Sequence, residues 1–282
     1  MFYHEYPPPP ALKPYIRCLW MLEHDYRQSF HTYEHLWADT HTELIFSFGE
    51  RYYRRSDGRK GRKIRLPENF IIGPLSKELL LYSDGFTGFI AARFHPWGFC
   101  GFSTQKATVL VNAILPAAKA LPPGIRQLEQ QLLRHPSREE KLRLLTDHLI
   151  DMKPPPNPDS ATLQAIVTEL QTLHGKQKIT HLAEQFNINP RKLERHFLQG
   201  IGLPAKLFAR ILRFNHAKDL IQKDPDIPLA ALAYETGYAD QAHFSRNFRQ
   251  LFNYTPAQFK ARIKKFKAET SGLDRDVVFV QD

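Results

Sequence analysis

A pair of residues, Leu182-Ala183, returns later in the chain as Leu232-Ala233. Leu193, Arg195 and Phe197 return as Phe244, Arg246 and Phe248, and Pro204-Ala205 returns as Pro256-Ala257. Phe208 falls near the counterpart of Phe259. The offset drifts from 50 residues at the first pair to 52 at the last, so short insertions separate two copies of one structural unit. Each copy reads as helix, tight turn, helix. In the first, Leu182 and Ala183 face inward on a short helix over Ile179–Phe186, and Asn187-Ile188-Asn189 breaks it. Asn189 then offers a capping side chain, and Pro190 stands where its missing N–H does no harm. In the second, Gly237 supplies the backbone freedom of a sharp turn and Asp240 caps the next helix. Leu193 and Phe197, like Phe244 and Phe248, line one face of the second helix of each unit, which leaves the arginines to the other face.

A helix of this size fits the major groove of DNA, where Arg pairs bidentately with guanine and Gln with adenine. Arg191 and Arg195 are one turn apart, and Gln241, Ser245 and Arg246 repeat that placement. Charge agrees: the chain carries 39 Lys and Arg against 29 Asp and Glu, a formal net charge of +10. Between Leu163 and Phe266 there are 16 basic and 8 acidic residues, so most of the excess lies beside the repeat. That is the footprint of a polyanionic partner. A helical bundle with a solvated basic face is the bland alternative.

The expected organisation is α+β. A mainly-β amino-terminal domain with flanking helices spans 1–150, and a Pro-rich linker, DMKPPPNPDS, spans 151–160. An all-α, seven-helix double helix-turn-helix domain follows over 161–266, and a tail over 267–282, polar until Val277–Val280. Candidate strands are Thr42–Phe48, Asn69–Ile72, Leu79–Tyr82 and Gly88–Phe94. Residues 119–150 and Pro204–Gln222 read as helical, and Ser160 is placed to cap a helix through Leu163, Ile166, Val167 and Leu170. The start, MFYHEYPPPP, lacks the pattern of a secretory signal. No run of about 18 apolar residues offers a membrane span, and Cys18 and Cys100 form no disulfide framework. A cytoplasmic location is expected.

With those residues in place, residues 161–264 resemble the DNA-binding domain of the AraC/XylS transcription regulators. The most specific stretch is GYADQAHFSRNFRQLFNYTPAQF, Gly237–Phe259, and LAEQFNINPRKLERHF resembles the family's first recognition unit. The resemblance implies a bacterial regulator whose two units, joined by a long helix, address successive major grooves about 34 Å apart. It implies base-facing positions at Arg191, Glu194, Arg195, Gln241, Ala242, Ser245 and Arg246. Lys192, His243 and Arg249 become phosphate or flanking contacts, and Thr255-Pro256 a structural start to the closing helix. Double-stranded DNA is the implied partner, with RNA polymerase, a small-molecule effector and a second copy of the chain as further partners. Lys178 stands where the family usually has a hydroxyl cap, and Ala239 and Ala242 where it often has Ser.

The amino-terminal half, through Pro10–Trp20, DTHTELIFSFG at 39–49 and ARFHPWGFCGF at 92–102, resembles an uncharacterised small domain often found before AraC-type units, which implies sensing or dimerisation. Asp39, Glu43, Phe94, Pro96 and Gly98 carry that pattern, and Trp97 departs from it. Trp20, Trp37, Phe46, Phe94 and Trp97 are candidates to line a ligand pocket, with ordinary core as the competing role. His24, His31, His35, His41 and His95 are read as ordinary histidines, not metal ligands, although His31 and His35 have helical ligand spacing. Arg51–Arg65 holds eight Lys and Arg around an Asp57-Gly58 hairpin tip, and reads as a solvated loop. No nucleophile–base motif, phosphate loop or metalloprotease motif occurs, so no cofactor, metal or enzymatic activity is expected. Asp39 and Glu43 are the carboxylate pair to test for the rival reading, an enzymatic first half fused to a DNA-binding second. A third reading is sequence-indifferent DNA binding.

Overall fold

The computed structural model describes residues 2–28, 34–55, 61–135, 137–155 and 158–269. Strands β1 (Phe2–Tyr6), β2 (Ile16–Asp25), β3 (Glu34–Leu36), β4 (Glu43–Gly49), β5 (Tyr53–Arg55), β6 (Lys63–Arg65), β7 (Asn69–Ile72), β8 (Leu79–Tyr82), β9 (Phe86–Phe94) and β10 (Ile114–Pro116) make two antiparallel sheets. One runs in the order β1-β2-β9-β4-β7-β10, the other β3-β8-β5-β6. Side chains alternate along β2. Cys18, Trp20 and Leu22 enter the core shared with the smaller sheet, while Leu19 and Met21 enter a second core on the opposite face. Helices α1 (Ala107–Leu110), α2 (Ala117–Ala120), α3 (Ile125–Arg134) and α4 (Arg138–Met152) follow. Leu128 and Leu132 of α3 and Leu145 and Leu149 of α4 cover that second face. The large sheet is therefore the middle of three layers.

The four candidate strands are present as β4, β7, β8 and β9, with ends displaced by up to two residues. The strand Ile16–Asp25 has no such signature in the sequence, because it is buried on both faces. Cys-Leu-Trp-Met-Leu then shows no apolar–polar alternation, and an unbroken apolar run does not distinguish strand from helix. The helical reading of 119–150 needs a correction, since α3 ends at Arg134 and α4 begins at Arg138. Pro136 lacks the N–H that a continuous helix would use, and Ser137 caps α4 by accepting the backbone N–H of Glu140.

The carboxyl-terminal part consists of α5 (Pro158–Thr172), α6 (Ile179–Gln185), α7 (Pro190–Gly200), α8 (Ala205–Lys223), α9 (Leu229–Glu235), α10 (Gln241–Phe252) and α11 (Pro256–Glu269). Residues 151 and 152 belong to α4, and residues 158–160 to α5. Pro158 is tolerated because first-turn N–H groups have no intrahelical partner, so Ser160 lies inside the helix and does not cap it. Its hydroxyl accepts from the Gln164 side chain at 2.9 Å. Phe214 of α8 is the hub of this core, with the rings of Tyr238, Phe244, Phe248 and Phe252 at 5.7–6.3 Å. His31, Asp57, Gly58 and Val277–Val280 lie outside the described residues.

Contacts among the described residues pack the two halves together. Cys100 Sγ donates to the Gly200 carbonyl at 2.9 Å. Gly202 (φ +88°) lies so near α1 that a Cβ there would fall 2.3 Å from the Ala107 carbonyl oxygen. Trp37 leaves the sheets and inserts among Phe252, Tyr254 and Phe259, with ring centroids 5.2, 5.9 and 5.3 Å away. Its burial belongs to the core of the carboxyl-terminal part.

Candidate nucleic-acid interface

The two repeats fold alike. The backbone N–H of Ile188 donates to Ala183 at 2.9 Å, and that of Tyr238 to Ala233 at 2.8 Å. The turn residue before each is left-handed, Asn187 at φ +47° and Gly237 at φ +75°. Asn tolerates this region because its short amide bonds locally, and Gly because it has no Cβ. Asn189 Oδ1 then accepts the Arg191 N–H at 2.9 Å, and Asp240 Oδ1 accepts the His243 N–H at 2.7 Å. These caps set where α7 and α10 begin, and so which residues face outward. At α6 the capping position is Lys178, which makes no side-chain cap bond.

Leu193 and Phe197 of α7 and Phe244, Phe248, Leu251 and Phe252 of α10 are buried. The opposite faces are polar. Arg191, Lys192 and Arg195 are exposed on α7, and Gln241, Ala242, His243, Arg246 and Arg249 on α10, with Ser245 half-buried. Among the described residues, the side chains of Arg191, Arg195 and Arg246 form no ion pair or hydrogen bond. Glu194 differs from the base-facing expectation. It is half-buried, and its carboxylate accepts the N–H of Ala205 at 3.2 Å. A carboxylate suits that position, where the unpaired amides of α8 begin. Gln258 likewise accepts the Thr255 N–H at 2.9 Å while Thr255 Oγ1 accepts the Gln258 N–H. This capping box agrees with the structural role expected of Thr255.

A basic cleft of about 640 Å³ was not anticipated. Lys176, Lys178, Lys206, Arg210 and Arg213 line it, between the start of α6 and α8. Lys206, Arg210 and Arg213 are four and three residues apart, which puts them along one side of a helix, so the spacing alone could have revealed them. Arg213 lies over the Tyr238 ring at 4.8 Å and Arg210 reaches the Gln250 side chain at 3.4 Å, which ties the cleft to the second unit. Burial pushes the Tyr238 phenol above its usual range against the pull of both cations.

A second cavity, of about 770 Å³, lies between the sheets and reaches α5 and α8. It separates the five aromatic pocket candidates. Trp20 and Trp37 line it; Phe46, Phe94 and Trp97 do not. Phe46 and Phe94 point to the opposite face of the large sheet, among α2–α4, because they fall on the other parity of β4 and β9. Trp97 stacks on His95 and donates its indole N–H to the Pro14 carbonyl at 3.0 Å. Asp39 and Glu43 both line the cavity, but each already has a hydrogen-bonding partner. Asp39 accepts from His41 Nδ1 at 2.8 Å, and Glu43 accepts from Arg93 at 2.6 Å. Burial opposes ionisation of Asp39, yet His41 and Arg93 outweigh it and hold the carboxyl well below the usual range. His24 packs edge-on to Tyr26. Among the described residues no group of three His, Cys, Asp or Glu side chains is placed to hold a metal ion, and no helix is long and apolar enough to cross a membrane.

Residues 182–262 match the family described as "Helix-turn-helix domain", and residues 4–116 the "Domain of unknown function (DUF6597)". The HTH-type transcriptional regulator GlxA of Rhizobium meliloti (strain 1021) is 35% identical over 101 residues, which are 36% of this chain and 31% of that protein. The HTH-type transcriptional activator RhaS of Salmonella newport (strain SL254) is 34% identical over 79 residues, 28% of each chain. The chain thus spans about a third of the length of these relatives. Among solved structures, ToxT from Vibrio cholerae aligns over 86% of this chain and 98% of its own at 10% identity and TM-score 0.46. An AraC-type regulator from Chromobacterium violaceum aligns over 36% of this chain and 96% of its own at 27% identity and TM-score 0.32. The carboxyl-terminal part is thus similar to the helix-turn-helix part of HTH-type transcription regulators, and the amino-terminal part to a domain of unknown function.

Proposed function

We propose that the chain is a sequence-specific DNA-binding transcription regulator whose α7 and α10 enter successive major grooves. The observation that carries this reading is the paired design of the two helices: each is capped at its start by Asn189 or Asp240 and presents exposed arginines, Arg191 and Arg195 on one and Arg246 and Arg249 on the other. Base reading falls to Arg191, Arg195, Gln241, Ala242, Ser245 and Arg246. Lys192, His243 and Arg249 hold phosphates or flanking positions, together with the lysines and arginines of the basic cleft. Glu194 serves the start of α8. Residues 1–150 form the regulatory part, with an effector in the cavity between the sheets. A second copy of the chain and RNA polymerase complete the expected set of partners.

Selection of bound sequences from a random DNA library by the full chain tests this reading. The expected result is enrichment of a site with two short motifs about one helical turn apart. Equal retention of all sequences would instead assign the chain to sequence-indifferent binding.

A further inference from the structure

We propose that the cavity between the sheets receives a neutral, mainly apolar small molecule carrying an oxygen acceptor, and that the strap of residues 36–41 carries its occupancy to the second helix-turn-helix unit. The proposal deepens the effector reading above and rests on it for its biological use. The binding and the coupling stand on the cavity alone.

The ligand class follows from what the walls leave unsatisfied. At about 770 Å³ the cavity falls within the range usual for small-molecule sites, roughly 300–1,000 Å³. Trp20, Tyr52, Phe70 and Phe89 give it an aromatic wall. Two polar atoms on lining residues, Trp20 Nε1 and Thr40 Oγ1, are buried without a hydrogen-bond partner. An indole N–H can only donate, so its partner must be an acceptor. Glu43 is paired with Arg93, Lys218 with Asp219, and Asp39 accepts from His41, whose other ring nitrogen lies 3.5 Å from the guanidinium of Arg17 at the exposed rim. A neutral ligand therefore fits better than an ion.

The route follows from the strap. Leu36, Asp39, Thr40 and His41 all line the cavity, and Asp39 is fixed to Leu75 by two backbone hydrogen bonds of 2.9 and 2.8 Å. Trp37, two residues before that fixed point, is the side chain inserted among Phe252, Tyr254 and Phe259. A ligand that engages Thr40 thus acts on the same short segment that plugs α10 and α11. Packed aromatic contacts of this kind respond by switching between discrete arrangements, not by yielding smoothly. Asn215 and Leu212 of α8 also line the cavity, so the ligand touches the long helix as well.

The test uses Prodan, a neutral fluorescent naphthalene with one ketone, and the same dimethylaminonaphthalene lacking the ketone. The full chain is expected to bind one equivalent of Prodan, about tenfold more tightly than the comparator measured by displacement. Trp20→Phe, which keeps a ring and removes the donor, is expected to erase that preference. Absence of saturable binding, or equal affinity for both probes, overturns the ligand assignment. Amide hydrogen exchange then reads the coupling: saturating Prodan is expected to change exchange across Leu251–Phe259 in the natural chain and not in Trp37→Leu. Changes confined to the sheets overturn the strap, and the natural chain alone reveals that outcome even if Trp37→Leu does not fold. No readout uses DNA, so failure of the regulator reading and failure of this proposal are told apart.

Discussion

Asn187 and Gly237 occupy the same place in two turns that lie fifty residues apart in sequence, and both are left-handed, at φ +47° and +75°. The space around Gly237 is ample, since the nearest atom to an added Cβ would be Lys176 Cγ at 3.5 Å. Its requirement for glycine therefore comes from backbone conformation. Gly237→Ala is expected to destabilise the chain by about 1–2 kcal/mol, read from the midpoint of urea unfolding. Asn187→Gly should stay within about 0.5 kcal/mol. Equal losses for the two would show that conformation is not what the position selects.

Arg195→Ala and Arg246→Ala are each expected to weaken binding to a selected site by about 1–3 kcal/mol and to relax base choice at one position. Competition with unrelated DNA checks this. A loss of equal size on both DNAs would make the two arginines phosphate contacts.

Binding should weaken steeply with salt, the logarithm of the association constant falling by about 0.9 per decade for each phosphate neutralised. Lys206→Ala and Arg210→Ala should each flatten that slope by about one phosphate while leaving base choice intact. Unchanged slopes would remove the basic cleft from the interface.

Stability should depend on acid through Asp39. Its carboxyl is depressed in the folded chain, so its contribution is complete above the unfolded value of about 3.9. That contribution disappears as pH falls through the lower, folded value. Asp39→Asn should therefore lie below the natural chain in urea midpoint at pH 6, with the gap closing toward strong acid. A gap that stays constant with pH would mean packing, not charge, explains the loss.

Both thiols should resist chemistry while the chain is folded. Burial pushes Cys100 up to about 12 and Cys18 up to about 11, which removes the reactive thiolate at neutral pH. Mass spectrometry after iodoacetamide at pH 8 should find no adduct on the native chain and two in urea. Rapid native labelling of Cys100 would show that the contact with Gly200 opens readily.

The carboxyl-terminal fold was legible because its determinants are local. Asn189 and Asp240 cap within three residues, and Leu193, Phe197, Phe244 and Phe248 repeat at helical spacing. The amino-terminal half was less so. Parity along β4 and β9 decides whether Phe46 and Phe94 face the cavity or the helices, and sequence composition is blind to parity unless the strand is correctly placed. The role of Trp37 was beyond reach for a different reason: its neighbours, Phe252 to Phe259, lie more than two hundred residues away, and no local pattern records such a contact. Glu194 is ambiguous in the sequence because an acid at that position has the right chemistry for a base and for a neighbouring helix start alike.

The pairing of β2 with β9, which sets Ile16 opposite Phe94, has a consequence for how the molecule is made. The middle layer cannot close until the ribosome has delivered everything from β2 to β9, and such distant partners join slowly. The helical end depends on near neighbours and is suited to rapid folding. The later-made helical part is thus equipped to finish quickly, and the earlier-born sheet can settle against a surface that is already solid.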